Sequence, residues 1–230
     1  MKKIALFWLL ALGVGCGISA SQAQVVSYNL NFTGRNTDDA PVNFTNLVVA
    51  TFFTPEAESW SLGNGLTLAF ASVNNYDFST TTQPLTDGGL FVAGGTTSAF
   101  TLSGLAVGST VTLYAIDAWD QGGSAATITF GGQTVSTAGS NDNGWNGSPA
   151  APGTTPSVSD FTLIASSVVV GGTGTLSGLL SGANGGAGEG QLGGFIIQIT
   201  PAAVPEPSTW AMLGAGGALL LALGARRHRC

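Results

Sequence analysis

Two short segments hold the side chains best suited to chemistry. Asp117, Trp119, Asp120 and Gln121 follow an apolar run, and Asn141, Asp142, Asn143, Trp145 and Asn146 lie in a Gly- and Asn-rich stretch. An aromatic face beside carboxylates and amides suits a sugar, whose C–H groups stack on the ring while its hydroxyls are hydrogen-bonded. The plainer reading puts Trp119 in the end of a folded core and leaves the Asn and Asp residues to make turns. Asp117 with Asp120 or Asp142 also offers oxygen ligands for calcium, though the spacing fits no recognisable loop. A third chemistry would pair Glu56 with Glu58, whose side chains would stand roughly 7 Å apart along an extended chain. Two carboxylates suffice for glycoside hydrolysis. Pro55 and the polar neighbours read instead as a solvated loop.

Other chemistries are excluded by composition. Between Gln24 and Val204 there is no His, Lys or Cys. Ser-His-Asp, Cys-His and Ser-Lys arrangements are therefore impossible there, and so is a His/Cys zinc site. The Gly-rich stretch Gly182–Gly190 has no Lys and precedes no helix-like pattern, so it is no phosphate loop. The same stretch of chain holds eleven of the twelve acidic residues against one base, Arg35, a formal charge of −10. With six Lys and Arg in the whole chain, nucleic acid is not the partner.

The elements that would carry these residues read as strands. Tyr28–Phe32, Leu66–Phe70, Thr127–Phe130 and Phe195–Ile199 alternate or run apolar in the period of a pleated chain. Thr110 to Ile116 is apolar on both faces towards its end, which predicts a central strand. Gly63-Asn64-Gly65 and Asp87-Gly88-Gly89 mark tight turns. No stretch of helical length shows a 3.6 period. About ten short strands at this spacing argue for a β-sandwich or barrel, and one β-sandwich domain is expected over residues 24–201. Thr101-Leu102-Ser103-Gly104-Leu105 recurs as Thr175-Leu176-Ser177-Gly178-Leu179, two copies of a strand running into a Gly turn. Residues 139–156 and 181–194 are too Gly-rich to be core.

The ends differ in kind from the middle. Lys2-Lys3, an apolar run from Ile4 to about Val14 and the small residues Ser21-Gln22-Ala23 form a secretory signal peptide, residues 1–23, cleaved after Ala23 by signal peptidase. A lipoprotein signal using Cys16 is the rival reading, weakened by Gly13. With residues 1–23 removed the domain has no cysteine, so its fold rests on its core alone. Residues 202–209 form a linker containing Val204-Pro205-Glu206-Pro207, where two prolines break regular structure. Trp210–Ala225 is apolar and, as a helix, would span about 24 Å, a little under the roughly 30 Å of bilayer hydrocarbon. Trp210 and the basic residues Arg226, Arg227 and Arg229 of the tail, 226–230, would sit at the two interfaces. Basic residues at both ends are the cytoplasmic marks of the positive-inside rule, with the middle exported.

This end resembles the PEP-CTERM sorting signal of exported bacterial proteins, through Pro205-Glu206-Pro207-Ser208, the Gly/Ala/Leu-rich segment 210–225 and the cluster Arg226–Arg229. The resemblance implies temporary anchoring in the inner membrane and recognition by an exosortase, with Pro205, Glu206 and Pro207 as recognition elements, in bacteria that make extracellular polysaccharide. Phe100–Leu105 with Val107-Gly108-Ser109 and Thr112-Leu113-Tyr114, and later Gly188–Phe195, are similar to exported jelly-roll domains of such proteins. That implies a galactose-binding-like jelly roll. The expectation is an exported, non-enzymatic surface or matrix protein needing no cofactor. The alternative is a module that binds exopolysaccharide through Asp117, Trp119, Asp120 and Trp145.

Overall fold

The computed structural model describes residues 24–34, 42–50, 54–77, 88–117, 126–137, 156–182, 190–203 and 214–217. Residues 24–202 form one compact unit, separate from the two chain ends. Among the described residues its strands are β1 (Val26–Thr33), β2 (Thr45–Val48), β3 (Glu56–Gly63), β4 (Leu66–Asp77), β5 (Gly88–Val92), β6 (Thr97–Ser103), β7 (Thr110–Ile116), β8 (Ala126–Phe130), β9 (Gln133–Ser136), β10 (Thr162–Val169), β11 (Thr175–Gly182), β12 (Gly190–Leu192) and β13 (Gly194–Thr200). They make two sheets, one ordered β10-β7-β13-β1-β2 and one ordered β12-β5-β4-β6-β11-β8-β9 with β3 also paired to β4. All pairings are antiparallel except β1 with β2. The expected all-β sandwich is present, and the strands foreseen at Tyr28–Phe32 and Leu66–Phe70 run longer than the sequence suggested.

Alternation explains which face each strand buries. In β7 the pattern places Val111, Leu113 and Ala115 in the core, and β7 is flanked on both sides as a central strand should be. Phe32 and Phe195 from the first sheet meet Phe70 and Phe100 from the second. Phe32 lies 5.5 Å from Phe195 and 5.9 Å from Phe70, and Phe195 lies 5.7 Å from Phe100, all between ring centroids. Trp60 closes this cluster 5.9 Å from Phe32 and donates its indole N–H to Val48 O at 2.9 Å. Those rings replace the disulfides that the domain lacks. Fully burying a large apolar side chain is worth about 1.5–3 kcal/mol each.

Two expectations are corrected. Residues 190–194 are not outside the core: β12 and the start of β13 are buried, with Leu192 and Phe195 at 0% exposure. Their glycines serve close approach rather than looseness, since a Cβ on Gly190 would stand 2.6 Å from Ser181 O. The second correction concerns the repeated pentapeptide. Its copies are antiparallel neighbours, with Leu102 opposite Leu176, Thr101 opposite Ser177 and Ser103 opposite Thr175. Gly104 ends a strand at φ +83 as expected, whereas Gly178 lies within β11 under the Phe100 ring.

The signal peptide 1–23, the linker motif and the basic tail lie outside the described residues. Of the proposed membrane segment 210–225 only 214–217 is described, and it is helical. Among the described residues no helix is long and apolar enough to cross a membrane.

Candidate functional site: the loop-bearing pole

Strand direction gives the sandwich two unlike ends. Val26, the first residue of β1, pairs with Ile199, and Thr200, the last of β13, pairs with Thr110. The chain therefore enters and leaves the domain at one end, here termed the base. Tight turns close it at Gly63–Leu66, Gly104–Ser109, Gly131-Gly132 and Gly171–Gly174, and a Cβ on Gly108 would touch Ala202. At the other end, the crown, Asn31, Gly194 and Ile116 lie side by side in the last full row of the first sheet. Asp117 follows directly.

Register brings the roots of the two sequence-proposed segments together. The stretch holding Trp119 and Asp120 runs between Asp117 and Ala126, and the stretch holding Trp145 runs between Thr137 and Pro156. Ala126 and Thr137 are joined by Thr137 N–H to Ala126 O at 2.8 Å and by Ala126 N–H to Thr137 Oγ1 at 3.0 Å. Beyond Pro156, a 3-10 turn at Val158–Asp160 is capped by its own acid, with Ser157 N–H donating to Asp160 Oδ2 at 2.7 Å. Phe161 then joins Ile116 and Ile196 in a second small core on the outer face of the first sheet, stacked 5.9 Å from Phe44. Asp117 is placed by that packing and is itself only 5% exposed. Trp119, Asp120 and Trp145 lie outside the described residues, as do Pro205, Glu206, Pro207, Arg226, Arg227 and Arg229.

The glutamate pair does not form. Glu56 and Glu58 lie in strand β3, not in a loop, and a bulge falls between them because Glu56 pairs with Val73 and Glu58 with Phe70. Glu58 accepts the Ala50 N–H at 2.7 Å and is half-buried, while Glu56 is exposed. One carboxylate thus tethers the chain after β2 and the other faces solvent. Among the described residues no three His, Cys, Asp or Glu side chains gather as metal ligands.

Sequence reasoning passed over a set of buried carboxamides at the crown. Asn31, Asn74, Asn75 and Gln191 are all 5% exposed or less. Asn74, Phe91 and Gln191 are directly opposite one another on β4, β5 and β12, an aromatic ring between two amides. Asn75 points the other way, alternating with Val73 of the core, and donates its Nδ2 to Val49 O at 2.9 Å. Asn31 donates its Nδ2 to Asn46 Oδ1 at 2.6 Å. The Oδ1 atoms of Asn31, Asn74 and Asn75 are buried without a hydrogen-bond partner. The legible signal was the Asn74-Asn75 doublet, which interrupts an otherwise apolar alternation along β4.

No curated protein and no solved structure matches this chain. Residues 203–229 match the PEP-CTERM protein-sorting motif. The match spans the proline-flanked Glu206, the apolar segment and the arginines. The chain therefore carries a PEP-CTERM sorting signal behind a β-sandwich, and it is an exported protein whose processing partner is an exosortase.

Proposed function

We propose that the sandwich is a non-enzymatic component of the cell surface or extracellular matrix, delivered through its C-terminal signal. In this reading signal peptidase removes residues 1–23, segment 210–225 holds the chain in the inner membrane, and exosortase releases the domain. The observation that carries it is the sorting motif at 203–229 attached to a domain with no His, Lys or Cys. Such a domain lacks the usual nucleophile–base pairs, which supports a binding or structural role over hydrolysis. The test replaces Pro205, Glu206 and Pro207 by Ala in the producing cells. The expected result is an uncleaved, membrane-retained chain and loss of the protein from the surface or matrix fraction. Normal processing and display in that variant overturn the sorting step.

A second reading is favoured by one specific feature, the adjoining roots at Ala126 and Thr137 of the two stretches holding Trp119, Asp120 and Trp145. Under it, the crown binds neutral or acidic exopolysaccharide by ring stacking and amide hydrogen bonds. Calorimetric titration with the producing organism's exopolysaccharide tests it. Saturable binding lost in both Trp119→Ala and Trp145→Ala supports the reading, and the absence of saturable binding ends it.

A further inference from the structure

Eight large apolar side chains stay exposed among the described residues, and half of them stand at the base: Val25, Val26, Val107 and Val169. Val107, at 59%, and Val169, at 66%, are the most exposed of the eight. Scattered apolar residues are ordinary on any protein surface. These four are not scattered. Val169, the last residue of β10, pairs with Thr110, which pairs in turn with Thr200. Val26 pairs with Ile199, so Val25, one residue earlier, stands beside Thr200 where the chain leaves the domain. Val107 lies in the turn whose Gly108 N–H donates to Val170 O at 3.0 Å, one residue beyond Val169. All four thus border the ends of β10, β7, β13 and β1, a rim about 14 Å wide at the usual strand spacing. The rim is also free of charge. Residues 24–27, 62–66, 103–110, 130–133, 168–175 and 199–203, which make up the described base, include no Asp, Glu, Lys, Arg or His.

Chain length decides what covers this rim. Strand β13 ends at Thr200, and Ala202 still lies against the base, its Cβ 3.4 Å from where a Cβ on Gly108 would stand. The apolar segment taken above as the membrane anchor begins eight residues later, at Trp210. Eight residues reach at most about 29 Å even when fully extended. Strand β4 alone, with 12 residues, is about 40 Å long. A tether shorter than the domain cannot bring the crown round to the bilayer. Lying on the second sheet would press hydroxyls onto lipid, because Thr101 and Ser103 of β6 alternate with the core residues Phe100 and Leu102 and pair with Ser177 and Thr175. The rim beside the exit is both apolar and uncharged, so anionic headgroups do not repel it.

We propose that, while the chain is anchored, the base rests on the outer surface of the inner membrane, with Val25, Val26, Val107 and Val169 at the boundary between headgroups and acyl chains. The partner is the lipid bilayer itself. This rests on the reading of 210–225 as the anchor and adds an orientation to it. Apolar side chains settle about 5–10 Å into that boundary. Four valines alone give a weak contact, which the covalent tether sustains through a high local concentration and which cleavage ends. Standing so, the domain holds its crown about 40 Å away from the lipid and keeps Pro205-Glu206-Pro207 at the membrane surface.

The test reconstitutes the full chain, with Cys16→Ser and Cys230→Ser, into vesicles of phosphatidylethanolamine and phosphatidylglycerol. One new cysteine carries an environment-sensitive dye: Thr173→Cys in an exposed base turn, Val158→Cys at the crown, or Leu179→Cys on the outer face of the second sheet. Lipids bearing nitroxides on their acyl chains quench whatever reaches them. The expected result is quenching at Thr173→Cys at least about threefold stronger than at the other two positions. Adding Val107→Ser and Val169→Ser should at least halve that excess, and since neither valine is in the core the fold is kept. Equal quenching at the three positions overturns the proposal, and so does the strongest quenching at Leu179→Cys, which would lay the domain on its side. An excess undiminished by the two Ser substitutions overturns it too. So does a blue shift at Thr173→Cys that lipid quenchers leave untouched and that grows with protein density, which would assign the base to a second copy. Flotation separates the two readings. A chain that fails to float with the vesicles overturns the anchor and this proposal together, whereas a floating chain without excess quenching at Thr173→Cys overturns this proposal alone.

Discussion

Gly178→Ala should destabilise the domain, although the same change in most exposed extended positions stabilises. Replacing Gly by Ala normally gains about 0.4–1 kcal/mol by narrowing the unfolded ensemble, provided that the native backbone and space allow it. At Gly178 the backbone allows it and the space does not. An added Cβ would overlap Cζ and Cε1 of Phe100 and stand 2.8 Å from Thr129 O. Phe100 has nowhere to go. Its ring is 2% exposed and is confined by Phe70 at 5.4 Å, Phe195 at 5.7 Å and Phe130 at 5.8 Å. The other obstacle is a backbone carbonyl in the paired strand β8, which moves only if the ladder shifts. Overpacking of this kind costs about 1–3 kcal/mol, and the rigid backbone contact puts Gly178 at the upper end. With a urea m-value of about 2 kcal/mol/M, a loss of about 3 kcal/mol lowers the unfolding midpoint by about 1.5 M. The control is Gly171→Ala, an exposed glycine outside the left-handed region with nothing within 4 Å of the added carbon. It should gain the ordinary few tenths to 1 kcal/mol. Urea unfolding of the full chain, followed by Trp fluorescence, gives both signs in one experiment. A Gly178→Ala midpoint at or above that of the wild type would refute the packing argument, as would equal shifts in the two variants.

Further outcomes follow from the same structure. Phe32→Ala removes a 0%-exposed ring that contacts Trp60, Phe70 and Phe195, and should cost about 4 kcal/mol in urea unfolding. With no cysteine within the domain to compensate, that is a large share of an ordinary total of about 5–15 kcal/mol. Asn64→Ala, at φ +52 in the β3–β4 turn, should cost about 1 kcal/mol, and Asn64→Gly should recover it. Glu58→Gln keeps an acceptor for Ala50 N–H and should leave stability within about 0.5 kcal/mol, whereas Glu58→Ala should lose about 1–2 kcal/mol. If Glu58→Gln instead abolished a measurable turnover on polysaccharide, the non-enzymatic reading would fall.

The sequence was most legible where one face of a strand is buried. Alternation located β1, β4, β8 and β13 within a residue or two at one end, and the two-sided apolar run at Thr110–Ile116 coincides with β7. Composition misled where a glycine serves contact instead of freedom. Gly190 to Gly194 read as loop, yet those residues cross from one sheet to the other through the core, with Gly193 N–H donating to Ile116 O at 2.9 Å and Gly193 O accepting from Phe32 N–H at 2.8 Å. A glycine that admits a neighbouring backbone has the same letter as one that turns. Glu56 and Glu58 read as loop because of Pro55 and the polar residues around them, although β3 goes on to alternate exposed with half-buried residues through Trp60 and Leu62. The tail could be read outright because its information is order and spacing, not packing. For the crown the sequence supplied the ingredients, while their grouping came from pairings between residues as far apart as Asn31 and Gly194.

Base and crown divide the labour of the domain. At the base, backbone meets backbone: a Cβ on Gly104 would collide with Gly65 O, and one on Gly174 would stand 2.8 Å from Leu105 O. Turns so tightly nested cannot vary in length or charge without moving the strands they join. The crown is under no such constraint, since its long connections leave from strand ends already fixed by register. Loops of that kind, on a rigid scaffold, are where binding residues are placed. Substitutions of the nested base glycines should therefore register in unfolding midpoints and those at the crown in affinities. A base variant such as Gly104→Ala that kept its stability but lost polysaccharide binding would contradict this division.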